Sequence, residues 1–165
     1  MDIKRIGRHF LTTRYHLNST FPPRVLKAIG QAIKSSEAGH SGELRIVIEP
    51  ALDSLSVFNG VSARERAIEL FSQFRVWDTE HNSGVLIYLL LADRAVEIVA
   101  DRGIHARVGE QQWTEICNRM RADFKNAAYE AGVLTGIQSA TALLVKNFPA
   151  TGVQVNELPD SPVVL

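Results

Sequence analysis

The sequence predicts an α/β fold, a three-layer α/β/α sandwich with a mixed sheet, on the strength of three stretches. Residues 85–91 (VLIYLLL) are an unbroken apolar run. The run is too short for a membrane span and too uniform for a strand with one wet face, so it reads as a central strand covered on both sides. Residues 92–95 (ADRA) then supply a tight turn, and Val96, Ile98 and Val99 begin an antiparallel return. Upstream lie a strand and a helix. A strand–helix–strand unit is a crossover, which makes its two strands parallel.

Each element follows from local chemistry. Pro22 and Pro23 suit a first helical turn, and Val25, Leu26, Ile29, Ala32 and Ile33 recur at helical spacing up to Ser35-Ser36. Residues 38–42 form a loop. Leu44, Ile46 and Ile48 then alternate with Arg45, Val47 and Glu49 as a strand closed by Pro50. Residues 51–60 read as irregular. Ser62 and Glu65 form a capping box, and Ala67, Ile68, Leu70, Phe71 and Phe74 give the following helix its apolar face. Two helices are expected after His105. One rests on Trp113, Ile116, Cys117, Met120 and Phe124, and the other runs over 127–147 until Pro149 stops it. Residues 150–165 lack periodicity and read as a mobile tail. The domain proper spans 22–149.

Bulk properties narrow the function. A chain of 165 residues holds one cored domain. Lys plus Arg equals Asp plus Glu at 18 each, so no basic field is present to hold nucleic acid. The single cysteine, Cys117, forms no intrachain disulfide, and its place on an apolar helix face makes it a buried small hydrophobe. With no signal-like apolar start, a cytoplasmic location is expected. Residues 1–21 place Lys4, Arg5, Arg8, His9, Arg14 and His16 among Ile3, Ile6, Phe10 and Leu11. That pattern suits a basic amphipathic helix touching a membrane surface or a protein partner, or, as is commoner, one folded back on the domain.

The topology gathers chemistry-bearing residues at one end of the sheet. There the beginnings of the first two strands meet the end of the third, bringing together His40, Glu43, Asp78, Glu80, His81, Asn82, Asp101, Arg102 and His105. Carboxylates beside imidazoles suit a divalent cation, manganese or zinc before magnesium or calcium, with Glu43, Asp78, Glu80, His81, Asp101 and His105 as ligands. An enzyme built on such a site would hydrolyse a small phosphate ester. Metal-bound water would attack, Arg102 would steady phosphate oxygens, and His105 or His81 would handle a proton. The opposite end, with Glu49 and the Asp93-Arg94 turn, reads as thinner. No Gly-rich phosphate loop, nucleophile elbow or paired-Cys zinc signature is present. The rival reading is a non-catalytic interaction module that uses residues 1–21 and the tail to contact a membrane-associated or assembly partner.

Residues 67–71, Gly84-Val85-Leu86, and Asp93-Arg94 leading to Gly103-Ile104 carry a resemblance to the TPM domain family over 25–148. The resemblance implies an α/β/α sandwich, an acid-phosphatase activity ascribed to a plant branch, and divalent-cation binding in some members. Other members act in photosystem repair or as receptor-associated proteins, so the fold alone does not name a function. Where the family commonly carries Asp-Asn-Gly before the central strand, this chain has Asn82-Ser83-Gly84. Where it usually has Gly-Tyr-Gly-Leu-Glu after the third strand, this chain has Asp101-Arg102-Gly103-Ile104-His105. The resemblance thus implies a site with altered ligands.

Overall fold

The computed structural model describes residues 2–150 and 156–165. A four-stranded sheet in the order β3-β2-β1-β4 forms its middle layer. β1 (Glu43–Glu49) and β2 (Gly84–Leu90) are parallel, in the register Glu43 to Gly84 through Glu49 to Leu90. β3 (Ala95–Ala100) returns antiparallel to β2, with Ile87 opposite Ile98. Every residue of β2 is buried, as its continuous apolar run requires of a strand covered on both faces.

The two faces are packed by different helices. Leu44, Ile46, Ile48, Val85, Ile87 and Leu89 point to one core. It is closed by α3 (Pro23–Glu37), α7 (Glu110–Lys125) and α8 (Tyr129–Asn147). Val47, Leu86, Tyr88 and Leu90 point the other way, to a core closed by α5 (Ala63–Gln73) and the short α4 (Ser54–Phe58). This alternation is the period-two rule of a strand, so each strand feeds both layers. The capping box of α5 is present: Glu65 accepts from the Ser62 amide at 2.7 Å, and Ser62 Oγ accepts from the Glu65 amide at 3.1 Å. Close approach fixes two glycines. A Cβ on Gly84 would collide with the Val76 carbonyl, and one on Gly136 would collide with the Met120 sulfur where α7 and α8 cross.

Three elements differ from the sequence reading. α4 lies within 51–60, its start capped by Asp53, which accepts from the Ser56 amide at 3.0 Å. α6 (Arg102–Val108) starts at Asp101 and occupies what reads as loop. The tail expectation for 150–165 is corrected over 156–165; residues 151–155 lie outside the described residues. Leu158 is buried, and β4 (Val163–Val164) adds to the outer edge of β1 in parallel. Periodicity misses this segment because backbone pairing of two residues, not a repeating apolar face, holds it.

The chain's start also belongs to the folded unit. α1 (Ile3–Leu11) lies against α4 on one face of the sheet. α2 (Arg14–Thr20) sends Leu17 into the core on the other face. At the far edge, the outward carbonyls of β3 are taken up by side chains from both layers. Arg64 donates to Ile98 O and Arg121 to Val96 O, which blocks that edge to further pairing.

Candidate functional site

The end of the sheet expected to hold a metal spends its side chains on holding the backbone. Glu43 is buried, and its two oxygens accept from the amides of Glu157 (3.1 Å) and Leu158 (3.3 Å). Burial raises its pKa, against the pull of those two amides. Asp101 caps α6: Oδ1 accepts from the Arg102 amide at 2.7 Å, while the buried Oδ2 has no partner. His40 is fully buried, with Nδ1 2.8 Å from Gly42 O, and desolvation lowers its pKa towards a neutral ring.

The remaining expected residues do not converge. Asp78, Glu80 and His81 are exposed. The Glu80 amide, not its carboxylate, is engaged, donating to Glu157 at 3.2 Å. Arg102 turns back to Asn82, its Nε 3.1 Å from Oδ1. His105 lines a separate cleft of about 250 Å³ beside β3, with Arg64, Glu97, Trp113 and Arg121. Among the described residues no three His, Cys, Asp or Glu side chains are grouped so as to hold a metal ion. The six expected ligands Glu43, Asp78, Glu80, His81, Asp101 and His105 do not come together as one group among the described residues: one carboxylate is satisfied by amides, one caps a helix, and the other four are on the surface. The donors present do not fit a multidentate side-chain site, and the roles expected of Arg102, His81 and His105 have no shared centre.

The convergence occurs at the opposite end, which the sequence made look thin. Asp93 lies in the turn between β2 and β3. Arg5 reaches it through Nε (3.0 Å) and Nη2 (2.9 Å), and Arg8 stands at 3.5 Å. His9 Nε2 lies 3.1 Å from Asp93 Oδ1, while its Nδ1 accepts from the Leu52 amide at 3.0 Å. That acceptance leaves the ring proton on Nε2, which stands beside the carboxylate without a well-aligned hydrogen bond to it. Burial alone would raise the Asp93 pKa, but the Arg5 hydrogen bonds and the adjacent His9 overcome it and hold the carboxyl below the usual range.

A second group lies beside it. Glu49, at the end of β1, takes a two-point contact from Arg66 (3.1 and 3.0 Å) and a 2.6 Å hydrogen bond from the Tyr88 hydroxyl. Burial and the facing Glu49 charge push the Tyr88 pKa up, keeping the hydroxyl a donor. The sequence carried the signal: Arg5 and His9 are one helical turn apart, and Glu49 and Asp93 share a sheet end. The signal is faint because Arg5 and its partner Asp93 lie 88 residues apart.

One consequence sets the surface. α1 is docked by its charged side, with Arg5 and His9 turned inward. Ile3, Phe10 and Leu11 are left exposed, next to exposed Leu55 and Phe58 of α4. Phe10, Phe58, Ile6 and Leu52 line a small cleft of about 110 Å³ between the two helices. An amphipathic helix on a protein surface ordinarily buries its apolar stripe; α1 turns only Ile6 inward and leaves Ile3, Phe10 and Leu11 outside.

An open mixed sheet between two helical layers, with a parallel crossover followed by a hairpin, defines the class as an α/β/α sandwich. The chain belongs to the TPM domain family, whose family model matches residues 17–143. Its structure is similar to that of the BA42 protein from the psychrophilic bacterium Bizionia argentinensis. The two share 29% identity and a TM-score of 0.76, over 86% of this chain and 93% of that one. The N-terminal domain of a protein from P. gingivalis shares the fold, with 19% identity, a TM-score of 0.61 and 74% of each chain covered. No curated protein matches the chain. None of the described helices is long and apolar enough to cross a membrane.

Proposed function

We propose that the protein acts as a docking module whose working surface is the outward face of α1 and α4, set against an apolar, anionic counter-surface. The observation that carries this reading is the inverted helix. Ile3 is 74% exposed, Phe10 64% and Leu11 82%, with Tyr15 of α2 at 84% and Leu55 of α4 at 75%. Scattered single apolar residues on a surface need no explanation, but a helix that leaves three large apolar side chains in water while turning a part-buried arginine and a buried histidine inward does. Arg5 and His9 fix that orientation, because turning α1 over would expose the hydrophobic contacts of Ile6 and strand Asp93 without its partners.

The test is a photo-crosslinking residue at Leu11, irradiated in cells, with Trp77 as the exposed control elsewhere. An adduct at Leu11 and none at Trp77 is expected. Absence of any adduct at Leu11 removes the reading.

A second reading, a divalent cation held near Asp101 in a phosphate-hydrolysing site, draws support from one atom, the buried and unpartnered Oδ2. Calorimetric titration with manganese, zinc, magnesium and calcium tests it. Saturable heat lost in Asp101→Ala supports it, and no heat with any of the four ions eliminates it.

A further inference from the structure

We infer that the counter-surface of α1 and α4 is an anionic lipid interface, on which the domain lies with Phe10 and Leu11 inserted at headgroup depth. The inference rests on the docking reading and adds the chemistry of what is docked.

Charge comes first. Residues 1–21 hold four Lys or Arg and a single acid, Asp2, in a chain whose whole length carries 18 of each sign. Arg5 is consumed by Asp93, but Lys4 and Arg14 are exposed, and Arg8 is half-exposed despite its contact with Asp93. These cations flank the exposed apolar residues, as on helices that lie in the plane of a membrane, and the carboxylates on the same surface, Asp2 and Asp53, are engaged in capping α1 and α4.

Shape comes second. Ile3, Leu11 and Leu55 project singly, and the cleft edged by Phe10 and Phe58, about 110 Å³, is too small to seat more than a single side chain of a partner. A protein partner would have to supply a matching set of recesses, whereas a lipid interface accepts projecting aliphatic and aromatic groups without one.

Rigidity comes third. The ionic contacts to Asp93 and the Leu52 amide hold α1 with its apolar stripe already outward. No folding step has to be driven at the membrane, so the ordering cost of an unstructured amphipathic segment is avoided. The insertion is shallow, since none of the described helices is long and apolar enough to cross a membrane.

The experiment is flotation of the full chain with phosphatidylcholine vesicles, with and without phosphatidylglycerol. Binding is expected only to the anionic vesicles, and it should weaken as salt is raised. Removing Lys4 by Lys4→Gln should weaken binding roughly fivefold, the effect of one surface cation. Leu11→Ser with Phe10→Ser should abolish it. Both side chains are exposed, so an unchanged thermal midpoint verifies that this variant folds. Equal binding to neutral vesicles, or none to either kind, overturns the lipid inference. Crosslinking at Leu11 then separates the two ideas: an adduct with a second copy or another protein leaves the docking reading intact, and no adduct removes both.

Discussion

At one end of the sheet Asp93 gathers Arg5, Arg8 and His9. At the other, Asp101 spends one oxygen on the first turn of α6 and leaves its second without a partner. Glu49 and Glu43 make the same contrast at the two ends of one strand. Glu49 takes Arg66 and a tyrosine hydroxyl, whereas Glu43 takes two backbone amides. Residue types are alike at both ends. What differs is the element opposite: a helix that carries arginines and a histidine at one end, and segments that bring mainly backbone amides at the other. A carboxylate in a strand-end loop therefore says little about a site until the facing element is known.

The sharpest way to break this comparison is to remove the two aspartates in turn. Asp93→Ala leaves Arg5 and the buried His9 facing an empty position, and a loss of about 3–5 kcal/mol is expected in urea unfolding. Asp101→Asn keeps an oxygen to cap α6 and removes a buried charge that nothing pairs, so its effect should lie within about 0.5 kcal/mol. Similar losses for the two variants would sink the contrast between the ends.

Glu49→Gln comes next, at about 1.5–3 kcal/mol, because it withdraws the charged acceptor from Arg66 and Tyr88 but leaves a polar group in place. Glu43→Ala should cost about 1–3 kcal/mol by leaving the Glu157 and Leu158 amides unpaired. Its diagnostic is hydrogen exchange: faster exchange over 157–165, with α1 unchanged, is the expected pattern. If protection in 157–165 is unaffected, Glu43 is not what anchors the segment.

Strands, hairpin, crossover and the three large helices are legible because each follows from a repeating local pattern: alternation in β1, an unbroken run in β2, and 3.6-residue spacing in α7. α6 is not legible, because among seven residues that include Arg102, His105 and Arg107 only Ile104 and Val108 are buried, a pair too short to show a period beside the Asp101 cap. β4 is hidden for a different reason: two paired residues give no period. The candidate site misleads because topology brings sheet ends together, whereas side-chain partnership depends on where α1 folds back. Arg5 and Asp93 are 88 residues apart, and charge patterning within either segment does not connect them.

The effect that probes both ends in a single experiment is the pH dependence of stability. Asp93 has its folded-state pKa lowered, so its contribution is present above its ordinary value of 3.8 and is lost as the pH falls through the depressed value. Glu37 on α3 behaves oppositely. Burial first, then the nearby charges of Asp160 and Glu43, raise its carboxyl from 4.5 to about 7. Its contribution is complete below 4.5 and is lost as the pH rises through about 7. Glu43, also raised, adds to the same limb. The thermal midpoint should therefore climb as the pH drops from above neutrality towards 4.5, then fall in stronger acid. Glu37→Gln should flatten the neutral limb and leave the acid limb alone, while Asp93→Asn should do the reverse. A neutral limb that survives Glu37→Gln unchanged would mean that the acidic contacts between α3 and the C-terminal segment do not set stability there. The asymmetry would then rest on the Asp93 end alone.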